Sequence, residues 1–134
     1  MSTSPDALEE ALAAAAKDLL FTSESEAPIE IYKWPLASEP TPEALLASLG
    51  RPADTRVETS TVDAEIAPFT TTPPGVDDVE KALAARFQTL LDTLKQGLTD
   101  LRVYRVGRVD IDMYILGRAP TGAWLGYTTH VVET

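Results

Sequence analysis

A chain of 134 residues, 44% hydrophobic and 24% charged, suits one domain spanning residues 1–134 with a core of its own. It contains no cysteine, which excludes a disulfide framework, thiol chemistry and cysteine-ligated zinc. Its formal net charge of −10 is concentrated in the front: residues 1–80 hold 16 acidic against 4 basic side chains, residues 81–134 hold 5 against 7.

Ser4-Pro5 opens the first expected helix, with the hydroxyl as N-cap and proline at the first helical position. Leu8, Ala11, Leu12, Ala15 and Leu19 follow at helical spacing. Ser23-Glu24-Ser25-Glu26 comes next and matches the S-x-x-E capping box. A helix starting there would place Pro28 in its second turn, where proline has no N–H to give and clashes with the turn before. Ala27 is also pushed toward extended backbone by the proline after it. The stretch is therefore expected to be an extended loop, with Glu24 and Glu26 on one side and Ser23 and Ser25 on the other.

Ile29 to Trp34 reads as a short strand, and Leu36 to Pro40 as a loop. Thr41-Pro42 repeats the helix-opening pair for a short helix that stops at Gly50. Arg56 to Ile66 is threonine-rich and reads as a weaker strand, and Pro68 to Val76 as a loop. A long helix starts at Asp77 with Glu80 three residues on, and Val79, Leu83, Phe87, Leu90, Leu91, Leu94 and Leu98 form its core stripe. Residues 102–132 read as an antiparallel meander, in which Val109, Ile111, Met113 and Ile115 alternate with Asp110, Asp112, Tyr114 and Leu116. Gly107 and Ala119-Pro120-Thr121-Gly122 supply its turns. The order of helices and strands specifies an α+β fold with helices covering a mainly antiparallel sheet.

Catalytic patterns are missing. No Walker, Rossmann or G-x-S-x-G pattern is present, and His130 is the one histidine, near a strand end with no acid in obvious register. Asp110 and Asp112 share a strand face, which usually means the wet side of a strand rather than a metal site. Arg102, Arg105 and Arg108 make a mild basic patch, but the net acidity argues against direct nucleic-acid binding. An acidic front would attract a basic protein partner, although composition by itself favours the plainer reading that the charge keeps the protein soluble. No apolar run approaches the roughly 20 residues of a membrane span, and MSTSPDALEE lacks a basic-then-apolar leader, so a cytoplasmic protein without membrane contact is expected.

Three segments, "DLLFTSESEAPIEIYKW" (Asp18 to Trp34), "RFQTLL" (Arg86 to Leu91) and "VYRVGRVDIDMYILGRAPTGAWLGYTTHVVET" (Val103 to Thr134), occur in an order and spacing that resembles the nuclease A inhibitor family. Members of that family block a sugar-non-specific DNA/RNA endonuclease. The resemblance implies a three-layer α-β-α sandwich like that of pathogenesis-related protein 1. It implies a non-enzymatic inhibitor with no cofactor of its own, which covers the active site of a magnesium-dependent endonuclease. By the same resemblance Glu24 faces the nuclease's basic substrate-binding residues, and Thr134, through its hydroxyl and a terminal carboxylate, reaches the nuclease's catalytic magnesium. Glu26, Ser23, Ser25 and Glu133 complete the expected partner-binding set.

One region departs from the family pattern. The family's loop before the long helix carries an acidic-aromatic contact, and here it reads Thr72-Pro73-Pro74-Gly75-Val76, without an aromatic. This departure motivates the alternative of a generic protein-interaction or ligand-binding module on the same fold. Trp34 and Trp124 are expected in the core or on a sheet face rather than as replacement anchors.

Overall fold

The computed structural model describes residues 5–36 and 38–133. Ser4, the expected cap of the first helix, lies outside them. The chain runs α1 (Pro5–Ala16), β1 (Leu20–Thr22), β2 (Glu26–Pro28), β3 (Glu30–Lys33), α2 (Pro42–Ser48), β4 (Val57–Ser60), α3 (Val62–Ile66), a 3₁₀ turn (Ala67–Phe69), α4 (Asp78–Gly97), β5 (Thr99–Val106), β6 (Asp110–Arg118) and β7 (Trp124–Val132). Strands β3 to β7 form one antiparallel sheet in the order β3-β7-β6-β5-β4, and β1 and β2 form a separate two-stranded hairpin. The fold class is thus α+β with a mainly antiparallel five-stranded sheet.

Period two along the strands sorts the core. Val103, Ile111, Met113, Ile115, Tyr127 and Val131 pack with Leu8, Leu12 and Ala16 of α1 and with Phe87, Leu90, Leu91 and Leu94 of α4. Alternate residues Tyr104, Val106, Tyr114, Leu116 and Trp124 pack with Trp34 and with Leu45 and Leu46 of α2. Each fully buried leucine or phenylalanine contributes about 1.5–3 kcal/mol. Both tryptophans are buried, as the sequence suggests.

Local chemistry sets the element ends. Thr41 accepts a hydrogen bond from the Ala44 N–H at 3.1 Å, and Asp77 accepts from the Glu80 N–H at 2.9 Å. Helix α1 stops before Asp18, which adopts φ 59°, a left-handed geometry that aspartate tolerates better than most residues. Arg86 of α4 donates to the Ala15 and Lys17 carbonyls, placing a cation at the negative end of α1. Gly107 and Gly122 take positive φ at the two meander turns, where a side chain would be strained.

Three expectations require correction. The threonine-rich strand ends at Ser60, and Val62–Ile66 is a helix capped by the Thr61 hydroxyl, which accepts from the Ala64 N–H at 3.0 Å. The core stripe of α4 begins at Ala84 and Phe87. Val79 is 76% exposed and Leu83 is exposed as well, so the first turns of α4 overhang the core. In α1, Ala11 is exposed and Leu19 lies past the helix end.

Candidate functional site

The acidic stretch is the tip of the β1–β2 hairpin. Thr22 pairs with Glu26 across it, and Phe21 and Ala27 turn inward. Pro28 closes β2 as an extended residue, the geometry for which the helix was rejected. Exposure alternates through the tip: Thr22, Glu24 and Glu26 are exposed, whereas Ser23 and Ser25 are half-buried.

Ser23 organises the tip. Its N–H donates to the Ser25 carbonyl at 2.8 Å, and its Oγ accepts from the Ser25 N–H at 3.4 Å. The same Oγ accepts from the Val132 N–H at 3.0 Å, and the Glu24 N–H donates to the Val132 carbonyl at 3.2 Å. Two hydrogen bonds thereby join Val132 to the tip, one of them to a residue 109 positions away. The next residue, Glu133, donates its N–H to the Val109 carbonyl at 3.0 Å, which fixes it against the β5–β6 turn. The structure therefore brings Ser23, Glu24, Ser25 and Glu133 together at one end of the sheet, with Glu26 on the adjoining strand. Thr134 lies outside the described residues.

A cleft of about 340 Å³ opens between the tip and the end of β7, lined among others by Phe21, Glu24, Glu65, Phe69, Arg105 and Glu133. Its electrostatics centre on Arg105, which donates to Glu65 of α3 and to Glu133. Burial works against the guanidinium charge, but the hydrogen bonds that Arg105 donates to Glu133 and Glu65 outweigh it and raise its pKa above the ordinary value. With Glu24, Glu65 and Glu133 against one arginine, the lining keeps a net negative charge.

Arg102 and Arg105 do not form the basic patch suggested by their spacing. Arg105 lies on the side of β5 facing α3. Arg102 donates to Glu39 at 2.7 Å and to the Pro40 carbonyl at 3.0 Å, and stands 4.6 Å from the Trp124 ring centroid. Both guanidiniums are thus engaged within the protein.

His130 also differs from expectation, because an acid does stand in its register: Asp112 pairs with it directly across β6 and β7. Nδ1 lies 3.1 Å from Asp112, and Nε2 lies 3.5 Å from Asp110. Asp112 also accepts from Arg51 at 2.6 Å. Among the described residues, no group of three or more His, Asp or Glu side chains is arranged to hold a metal ion. No helix among them is long and apolar enough to cross a membrane.

The ties made by Ser23, Arg105 and Glu65 escape sequence reading, because every partner is distant along the chain. A clue to Arg105 exists in the alternation of β5, which puts it in the same row as buried Val103. A charged residue in a core-facing row needs partners.

Comparison with curated proteins gave no match. The sequence matches the nuclease A inhibitor-like protein family over residues 6–134, nearly its full length, and the chain belongs to that family.

Proposed function

We propose that the chain is a non-enzymatic, cytoplasmic inhibitor of a magnesium-dependent, non-specific DNA/RNA endonuclease. It acts by protein–protein contact, without binding nucleic acid or membrane itself. The carboxylates of Glu24 and Glu26 stand where nucleic-acid phosphates would, against arginines and lysines of the nuclease, since a guanidinium fork grips carboxylate and phosphate alike. Ser23 and Ser25 hold the tip in shape, and Glu133 sets the tail beside it. Thr134 supplies oxygen to the nuclease's magnesium, a hard cation that takes oxygen ligands. The finer fold assignment, a three-layer α-β-α sandwich like pathogenesis-related protein 1, belongs to the same proposal.

The observation that carries this reading is the pair of hydrogen bonds between the Ser23-Glu24 tip and Val132. Through them two acidic segments from opposite parts of the sequence form one negative surface, and their order before binding limits the entropy lost in the complex. Titrating the protein into a plasmid digestion by a magnesium-dependent non-specific endonuclease tests it. Inhibition is expected; Glu24→Ala should weaken it by about 2–5 kcal/mol, the cost of breaking a buried charged contact, and Thr134→Ala, which removes only a neutral hydroxyl, by about 0.5–1.5 kcal/mol. Full potency in both variants would show that the tip and tail are not the contact surface.

A further inference from the structure

We propose that Arg105 is a positioning residue for this surface: by holding Glu65 and Glu133 at once, it locks the tail into the place where the hairpin tip meets it. The proposal rests on the inhibitor reading above. The side chains of Arg105 and Glu65 are each 12% exposed, whereas Glu133 is 55% exposed. The Glu65–Arg105 pair is therefore the inner half of the arrangement and is anchored to α3. Glu133 is the outer half and belongs to the tail.

A desolvated guanidinium that keeps its charge must be matched by acceptors. Here the acceptors come from 40 residues upstream and 28 residues downstream. Arginine suits the task because its planar fork can serve two carboxylates in a fixed geometry, which a lysine ammonium on a flexible stem does not reproduce. The main chain of residue 133 is tied to Val109 and its neighbour Val132 to Ser23, and Arg105 adds the side-chain tie. With one carboxylate oxygen of Glu133 on Arg105, the residue is held at the rim of the cleft and the tail arrives at the partner already ordered. Ordering before binding reduces the entropy lost in the complex.

A plain structural brace for α3 would use the same contacts, so the test must separate the two. Amide hydrogen exchange on the free protein reads tail order directly, and inhibition of plasmid digestion reads its use. Glu133→Gln removes the charge from the outer half, leaving at most a neutral acceptor there, and leaves the Glu65–Arg105 pair intact. Arg105→Lys weakens both halves while keeping the charge.

Each variant is expected to speed exchange at the Val132 and Glu133 amides about tenfold and to weaken inhibition about tenfold, the scale of one lost charge-assisted tie. In a chain already carrying Glu133→Gln, Arg105→Lys should cost inhibition almost nothing more, because coupled residues are not additive. Unchanged tail exchange in both variants overturns the proposal, as does a full additional loss in the double variant, which marks a brace. Wild-type inhibition with full potency retained in both variants overturns the Arg105 role alone. A wild-type chain that leaves digestion untouched overturns the inhibitor reading itself, and the role with it.

Discussion

His130 illustrates how a single side chain reports its neighbours. The hydrogen bond to Asp112 raises its pKa above the ordinary histidine value, burial opposes this, and Asp110 adds to the rise. Arg51, bonded to the same Asp112, competes for that carboxylate, and Glu30 lines the adjoining cleft. Because the folded-state pKa lies above the unfolded one, the histidine contributes stability in full below about 6.5. The contribution is lost as pH rises through the raised folded value. Thermal melts of wild type and His130→Asn between pH 5.5 and 8.5 should therefore differ most at the acid end and converge at the alkaline end. The gap is expected to be small, because the ring is well exposed and solvent screens the pair. A gap that widens with rising pH would contradict the assignment.

At the scale of elements, α4 provides the sharpest contrast. Phe87 is fully buried beneath the sheet and stacks against Phe69 with ring centroids 4.8 Å apart. Val79, two turns earlier on the same sequence stripe, projects into solvent. Phe87→Ala should cost about 3–5 kcal/mol in denaturant unfolding, and Val79→Ala less than about 0.5 kcal/mol. Equal losses would mean that the helix register is wrong.

The same contrast explains what the sequence made legible. Caps such as Thr41 and Asp77 were readable because donor and acceptor lie three residues apart. The meander was readable because strand alternation is local. The length of the α4 stripe that finds a partner depends on where the sheet ends, and spacing within one helix does not contain that. Helix α3 was hidden in a threonine-rich run: Thr61 has a strand-forming composition but acts as a cap. The candidate site was half legible. Glu24 and the tail are candidates through the family resemblance, whereas Arg105 and Glu65 answer to contacts 40 residues apart.

At the scale of the whole molecule, charge separates by function. The front of the chain carries the excess acid, including the hairpin tip, whereas Arg86, Arg102 and Arg105 of the back half are engaged by carboxylates and carbonyls of the protein itself. Such a surface should accelerate encounter with a basic partner by long-range attraction. Stopped-flow association with the proposed endonuclease partner should slow by about tenfold between 50 mM and 500 mM salt, because the screening length falls toward a few ångströms, while dissociation changes little. A salt-independent association rate would indicate that the acidity serves solubility only.

Strand β7 lies inside the sheet, between β3 and β6, and its last residues hold the hairpin tip. The tip meets the tail beside the β3–β7 pairing, which itself joins the first quarter of the chain to the last tenth. Local nuclei such as α4 or the β5–β6 pair can form without assembling any of the acidic surface. Any surface that the tip and tail make together is therefore assembled from long-range pairing, whose loop-closure cost is larger than that of local contacts.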